Sequence, residues 1–204
     1  MTVMGKVVGI TGGIGSGKSE FAKAMEALGA ARINADLIGK HVLDYQAEVR
    51  ARVIDTFGHD LVGENNELNR DKLAQRVFKN DEVLSQFNAI IQPALILEIK
   101  KTIDHLKKGG KHEIIILDMA ILLESGMGED CDHIVVITAP TSLRIQRVKK
   151  TRNWSIQQIE ACMTRQWDDT ERVQRADTVI ENKGSLDELT QKAKDFTQKI
   201  NKII

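Results

Sequence analysis

The sequence has no excess of positive or negative charge, few cysteines and no long apolar run. Its 29 Lys and Arg residues equal its 29 Asp and Glu residues, so no basic surplus supports nucleic-acid binding. The longest aliphatic runs, residues 114–117 and 134–137, have the length of strands and are too short to span a bilayer. We therefore expect no nucleic-acid or membrane partner, and the few residues before the first glycine-rich segment do not resemble a signal peptide.

Cysteine and histidine are too scattered for a disulfide framework or a zinc site. The two cysteines, Cys131 and Cys162, form no C-x-x-C pair, and the five histidines show no ligand spacing. Two distant thiols are typical of a reducing compartment, so we expect a cytoplasmic protein. The 204 residues, 42% of them hydrophobic, suffice for one α/β domain with an elaboration.

One complete motif stands out: residues 12–19 read Gly-Gly-Ile-Gly-Ser-Gly-Lys-Ser, the phosphate-binding pattern G-x-x-x-x-G-K-[ST]. An apolar run precedes it and apolar residues at helical spacing follow, which is the strand–loop–helix order that the motif requires. Glycines let successive N–H groups point at one anion, and the dipole of the next helix adds to the attraction. Lys18 is expected to bridge the β- and γ-phosphates of a nucleoside triphosphate, and the Ser19 hydroxyl to ligate Mg²⁺. The residues expected to hold the nucleotide are Gly13, Ile14, Gly15, Ser16, Gly17, Lys18 and Ser19.

Five short apolar runs separated by helical segments predict a three-layer, doubly wound α/β fold with a five-stranded parallel sheet. The predicted strands are residues 6–10, 31–34, 113–117, 133–138 and 178–181. The interval between the second and third strands is far longer than one crossover needs. Residues 36–109 are therefore predicted to form an inserted helical subdomain, in which Pro93 begins a fresh helix. Residues 1–35 and 110–204 are predicted to form the nucleotide-binding core.

Two aspartates at predicted strand ends are candidates for chemistry at the phosphates. Asp118 ends an aliphatic strand, a pattern in which the carboxylate faces a bound Mg²⁺, although a solvated strand end gives the same pattern. Asp36 follows the second strand, which most such sheets place beside the first. Its carboxylate could therefore lie near the γ-phosphate, or it could cap the next helix. Spacing alone leaves both roles of Asp36 open.

The segment from residue 140 to 176 is helical in pattern and rich in arginine. It contains Arg144, Arg147, Arg152, Arg165, Arg172 and Arg175. These side chains could pair with nearby carboxylates on a solvated face, or belong to a lid that closes over the phosphates. We expect both, with residues 151–154 at the tip of the lid.

The loop after the last predicted strand bears on the base of the nucleotide. Residues 182–185, Asn-Lys-Gly-Ser, begin like the guanine-reading N-K-x-D motif, but Ser185 replaces the required aspartate. The missing carboxylate argues against a GTPase. A backbone-lined adenine slot is the simpler interpretation.

Taken together, the segments resemble one family of P-loop small-molecule kinases, dephospho-coenzyme A kinase, over nearly the whole chain. The resemblance rests on residues 9–19, 34–38, 68–78, 91–93, 117–126 and 166–184. The phosphate loop alone is shared with many kinases, whereas the ordered set of segments is much more specific.

The resemblance implies transfer of the γ-phosphate of ATP, with Mg²⁺, to the ribose 3′-hydroxyl of dephospho-CoA. It gives Asp36 the place of the general base, makes residues 148–160 the lid and makes the inserted helices the acceptor subdomain. Lys18 and Arg147 join Asp36 as catalytic residues. The substrate-binding residues it implies are Asp36, Arg70, Asp118 and Glu124, and the further nucleotide-binding residues are Arg152, Asn182 and Gly184. For Arg70, a plain arginine at the start of a helix is an equal alternative. We expect a monomer or a weak homo-oligomer.

Three residues depart from the family pattern. Asn34 stands where the family has an aspartate, but the carboxylate carried over as base is Asp36, so activity is expected to survive. Gln92 replaces a histidine and cannot carry a proton, and Ala120 replaces a proline and loosens the turn after Asp118. Two alternatives stay open: another P-loop kinase of nucleoside monophosphate or shikimate type, and a nucleotide-dependent switch without an acceptor.

Overall fold

The computed structural model describes residues 5–152 and 154–200. They divide into two compact units. Ala35–Lys101 form one of them, which we call the insertion unit. The described residues on either side of it form the other, which we call the sheet unit.

The sheet unit contains five parallel strands, as predicted. They are β1 (Lys6–Thr11), β2 (Ala31–Asn34), β3 (Ile114–Asp118), β4 (His133–Thr138) and β5 (Thr178–Glu181). Every residue of β3 is buried, and so is every residue of β1 after Lys6. Strands covered on both faces read as continuous apolar runs, and for this reason the sequence located them.

The order of the strands is β2-β3-β1-β4-β5, which corrects the expectation that the second strand lies beside the first. β3 lies between them, because it is apolar on both faces and suits the centre of the sheet. β2 carries the polar residues Arg32 and Asn34 at alternate positions and takes the edge. The register nevertheless pairs both Ile10 and Asn34 with Asp118, so the carboxyl ends of these three strands lie level.

The helices of the sheet unit cover the sheet and begin where local signals favour them. Those that lie wholly within this unit are α1 (Lys18–Glu26), α6 (Thr141–Arg152), α7 (Ile156–Thr164), α8 (Asp169–Gln174) and α9 (Leu186–Ile200). Ser155 forms a capping box with Gln158 at the start of α7. Phe21 of α1 and Phe196 of α9 pack in one apolar cluster with β1, β3 and β4, their ring centroids 5.9 Å apart.

The insertion unit is helical. It contains α2 (Ala35–Tyr45), α3 (Ala47–Phe57), α4 (Arg70–Val77) and the residues up to Lys101 of α5 (Asp81–Gly109). Val49, Val53 and Phe57 form the buried face of α3, as their spacing predicts. Phe57 also makes an edge contact with Phe87 of α5 at 5.9 Å between centroids.

Pro93 does not begin a helix, which corrects a second expectation. It lies inside α5, which runs without a break from Asp81 to Gly109. Proline removes one helical hydrogen bond and crowds the preceding turn. The buried side chains of Ile91, Leu95 and Ile99 recur every four residues across this point, and their packing maintains the helix through the proline.

The part of the chain that the structure describes contains no candidate membrane-spanning helix. No helix there combines the length with the apolar character that crossing a bilayer requires.

Candidate functional site

The phosphate loop joins β1 to α1 at the carboxyl edge of the sheet. Gly15 and Gly17 have φ angles of 77° and 97°, in the left-handed region that glycine enters without strain. Gly17 is the residue immediately before α1. The N–H groups of Lys18 and Ser19 therefore lie in the first helical turn, where no carbonyl of the helix can accept them. A helix start of this kind attracts a phosphate group.

Side chains from outside the loop engage its carbonyl groups. The carbonyl of Ile14 accepts a hydrogen bond from Arg144 Nε at 2.8 Å, and that of Ser16 accepts one from Asn182 Nδ2 at 2.7 Å. Because these acceptors are satisfied from the surroundings, the loop can turn its donors toward a ligand. Ile14 and Ser16 are exceptions, since the N–H of Ile14 donates to Gln166 Oε1 at 2.9 Å and that of Ser16 to the carbonyl of Gly13 at 3.0 Å. Contact of Ile14 with the nucleotide stays a prediction, and its N–H has a partner within the protein.

A buried carboxylate lies between two cations beside the loop. Lys18 Nζ forms an ion pair with Asp118 Oδ1, and Asp118 Oδ2 accepts from Arg32 Nη2 at 2.6 Å and from Nε at 3.2 Å. The Asp118 side chain is 1% exposed and the two cations are each 10% exposed. Burial lowers the pKa of the Arg32 guanidinium, but Asp118 and Glu26 together raise that pKa above its usual value. The two carboxylates therefore more than offset the effect of burial on the Arg32 guanidinium.

The oxygen atoms expected to bind Mg²⁺ belong to this cluster. Lys18 Nζ lies 3.5 Å from Ser19 Oγ and also contacts Asp118. A hydroxyl and a carboxylate are the hard oxygen donors that Mg²⁺ prefers. Among the described residues, no group of three or more His, Cys, Asp and Glu could hold a metal ion. Mg²⁺ would therefore need phosphate and water oxygens besides these two side chains, which is its usual mode of binding.

Arg147 holds the loop that follows β5. It donates to the carbonyl of Asn182 at 3.3 Å, to Asn182 Oδ1 at 3.2 Å and to the carbonyl of Gly184 at 3.2 Å. Asn182 thus connects Arg147 to the phosphate loop, because its Nδ2 also reaches Ser16. A Cβ on Gly17 would collide with that same Nδ2. The two loops predicted to bind the nucleotide are therefore packed directly against each other.

Glu124 is part of a buried ion pair. Its Oε1 accepts from Arg172 Nη2 at 2.7 Å and from the N–H of Trp167 at 3.3 Å. Arg172 is fully buried and donates as well to the carbonyl of Trp167. In the described part of the chain, Glu124 Oε2 and Arg172 Nε have no hydrogen-bond partner. Binding of substrate by Glu124 stays a prediction, and the atom without a partner, Oε2, is buried.

The arginine-rich segment is only partly a solvated face. Arg144 and Arg172 are buried, so surface pairing is the wrong interpretation for these two. Arg152 lies over the Trp154 ring at 5.2 Å, and Arg175 over the Trp167 ring at 4.4 Å. Within the predicted lid and its tip, Asn153 lies outside the described residues.

Two predicted site residues belong to the insertion unit. Asp36 is the second residue of α2, exposed and inside the first turn, so it is not the residue that precedes and caps the helix. Arg70 is the first residue of α4, and both oxygens of Asp44 accept from it at 2.6 Å. Arg70 therefore has a carboxylate partner at the surface of its own unit.

Sequence reasoning missed Arg32 and gave no role to Arg144 or Gln166 in the phosphate loop. A signal for Arg32 was present, because a charged residue in a short apolar strand needs a buried partner. Gln166 carried no local signal, since its contact depends on a loop 152 positions away in the chain.

Comparisons with known proteins agree along most of the chain. The family model described as dephospho-CoA kinase matches residues 6–188. A dephospho-CoA kinase of Corynebacterium diphtheriae is 36% identical over 95% of this chain and 96% of its own. One from Fusobacterium nucleatum is 33% identical over 98% of this chain and all of its own length.

Solved structures give the same result. A dephospho-CoA kinase from Campylobacter jejuni superimposes with a TM-score of 0.71 at 26% identity, covering 96% of this chain and 97% of its own. A shikimate kinase from Acinetobacter baumannii, with a TM-score of 0.53 at 14% identity over 98% of this chain and 92% of its own, shares the fold alone. The chain belongs to the dephospho-CoA kinase family.

Proposed function

We propose that this chain transfers the γ-phosphate of ATP to the ribose 3′-hydroxyl of dephospho-CoA, giving CoA and ADP in the last step of coenzyme A biosynthesis. The observation that carries the proposal is a phosphate loop built for a nucleotide in a chain related to dephospho-CoA kinases along 95% of its length. The carbonyl groups of Ile14 and Ser16 in this loop accept hydrogen bonds from side chains outside it, and Lys18 forms an ion pair with the buried Asp118.

The donor half uses Lys18, Ser19 and the N–H groups at the start of α1. On binding ATP, Lys18 exchanges the Asp118 carboxylate for oxygens of the β- and γ-phosphates. Arg32 then keeps Asp118 paired, which avoids the cost of an uncompensated buried charge. Mg²⁺ held by Ser19 and Asp118 would neutralise charge on the phosphates during transfer.

The acceptor half depends on Asp36. Its carboxylate accepts the proton of the 3′-hydroxyl as that oxygen attacks the γ-phosphorus, and ADP leaves on the opposite side. The exposed position of Asp36 supports this role. So does its place two residues after Asn34, the β2 residue that is in register with Asp118. The insertion, residues 36–109, is the acceptor subdomain in this proposal, with Arg70 and Glu124 as substrate contacts.

Residues 148–160 act as the lid in this proposal. Arg147 at its base and Arg152 near its tip supply positive charge, and closure excludes water that would otherwise accept the phosphate. Arg147 also holds Asn182 and Gly184 beside the phosphate loop, where these residues form the adenine slot. Action in the cytoplasm, as a monomer or weak homo-oligomer, stays a prediction.

An acceptor competition tests the proposal. The purified protein is given ATP, Mg²⁺ and equal concentrations of dephospho-CoA, AMP and shikimate, and the products are separated and identified by mass. We expect CoA to be the main phosphorylated product. Turnover of AMP or shikimate without dephospho-CoA would favour the alternative small-molecule kinases, and no phosphorylated acceptor at all would favour a nucleotide switch.

A further inference from the structure

Both backbone polar groups of Ile14 are held by side chains that flank the proposed lid. Arg144 Nε donates to the Ile14 carbonyl at 2.8 Å, and Gln166 Oε1 accepts from the Ile14 N–H at 2.9 Å. Arg144 lies on α6 before residues 148–160, and Gln166 follows α7 after them. The two ends of this helical segment thus meet at one residue of the phosphate loop.

The loop also packs directly against Arg144. A Cβ on Gly13 would lie 2.7 Å from Arg144 Cζ, and one on Gly15 would lie 2.7 Å from the Arg144 carbonyl oxygen. Such distances leave no space for a side chain at either glycine. The glycines therefore allow close approach to α6 in addition to the turn of the loop.

Arg144 is itself fixed in place. Burial lowers the pKa of its guanidinium, whereas the charge of Asp169 opposes that shift. Arg144 Nη1 lies 3.3 Å from Asp169 Oδ2, which anchors the guanidinium to the start of α8. A buried cation with one carboxylate partner and one carbonyl partner has little freedom to reorient.

We propose that Arg144 and Gln166 are positioning residues that set the shape of the phosphate loop through Ile14 and tie it to both ends of the lid segment. Neither side chain needs to touch ATP. By fixing the peptide groups around Ile14 they preorganise the N–H donors that follow, so nucleotide affinity depends on them. The link to lid closure rests on the proposed function, whereas the effect on nucleotide binding does not.

The test uses Gln166→Leu, which removes the acceptor for the Ile14 N–H at similar size. Gln174→Leu is the matched control, because it is the same substitution at an exposed position, the last residue of α8. Hydrogen exchange of the loop peptide that contains Ile14 is measured by mass spectrometry without ligand. Binding of a non-hydrolysable ATP analogue is then measured by calorimetry without acceptor.

We expect Gln166→Leu to speed exchange at Ile14 and to raise the Kd of the ATP analogue about five- to tenfold, the loss expected for one buried hydrogen bond. The KM for ATP should rise with it, with kcat and the KM for dephospho-CoA within about twofold of wild type. Arg144→Lys, which keeps the charge but not the reach to the Ile14 carbonyl, should weaken analogue binding in the same direction. Gln174→Leu should resemble wild type in both measurements.

Unchanged analogue binding in folded Gln166→Leu would overturn the proposal, and so would unchanged exchange at Ile14. Because neither measurement includes an acceptor, a protein that failed to phosphorylate dephospho-CoA could still pass this test. The two failures are therefore distinguishable.

Discussion

The ion pairs of Asp118 and Arg172 in the sheet unit differ in burial from those of Asp60 and Asp44 in the insertion unit. In the sheet unit, Asp118 and Arg172 are nearly inaccessible and have buried or half-buried partners. In the insertion unit, Asp60 pairs with Arg76 and Lys72, and Asp44 pairs with Arg70, all at side chains that are 34–52% exposed. Buried pairs carry a large desolvation cost, whereas exposed pairs contribute little to stability. Burial of the charged groups around the phosphate loop thus costs stability but fixes their positions, whereas these charges of the insertion unit face solvent.

This difference suggests a division of labour. The donor half is preorganised by buried contacts, whereas the acceptor half relies on exposed groups such as Asp36. Four variants or variant pairs test the comparison, from the largest expected effect to the smallest.

Asp36→Asn should show the largest effect on activity. Loss of the carboxylate removes the proton acceptor, so kcat should fall about 10²- to 10⁴-fold, while thermal unfolding stays near wild type because Asp36 is exposed. Asp55→Asn is the control, since Asp55 is exposed on α3 of the same unit. Full activity of Asp36→Asn in a steady-state CoA assay would remove Asp36 as the base.

Asp118→Asn should show the largest effect on stability. Neutralising this carboxylate leaves Lys18 buried without its counter-charge and leaves Arg32 with Glu26 alone, at 3.4 Å, so the free energy of unfolding should fall by about 3–5 kcal/mol. Asp60→Asn removes an equally charged group with two cationic partners, but at the surface. Urea unfolding without nucleotide should therefore show a small change for Asp60→Asn, and equal losses would abolish the contrast between the units.

Arg32→Leu and Arg70→Leu should change the KM values of different substrates. Once Lys18 has moved to the phosphates, Asp118 depends on Arg32 for its charge partner, so the KM for ATP should rise about tenfold. Arg70→Leu should leave the KM for ATP unchanged and raise the KM for dephospho-CoA. Initial rates with each substrate varied in turn distinguish the two patterns, and a common effect of both variants on one substrate would contradict the division.

Ionisation of the Cys131 thiol should have no effect near neutral pH and should influence stability only in alkaline solution. Burial, with the charges of Asp130 and Asp132, raises the pKa of its thiol to about 12. The unfolded chain loses this proton at lower pH than the folded one, so the thiol's contribution to stability is present below the unfolded pKa and declines above it. Between about pH 9 and 11, wild type should lose more stability than Cys131→Ala. Parallel pH profiles would show that the thiol is not protected.

The sequence predicted the strands of this fold better than their order or the contacts across it. Short apolar runs located β2, β4 and β5 to the residue, and they located β1 and β3 to within one residue at each end, because the spacing of apolar residues along a strand is a local signal. Pro93 was misjudged since distant packing, not local propensity, maintains α5. The sequence indicated that Arg32 needs a buried partner but not which one, and it gave no signal for Gln166, because Arg32 and Gln166 meet Asp118 and Ile14 only after the strands and helices have assembled.

The position of the transferred phosphate tests the central claim most directly. The protein is incubated with dephospho-CoA, Mg²⁺ and ATP labelled in the γ-phosphate, and the labelled product is examined by ³¹P and ¹H NMR to locate the phosphate on the ribose. The account predicts one labelled product with the phosphate on the 3′-oxygen, formed together with an equal amount of ADP. Label on another oxygen, or label released only as inorganic phosphate, would contradict it.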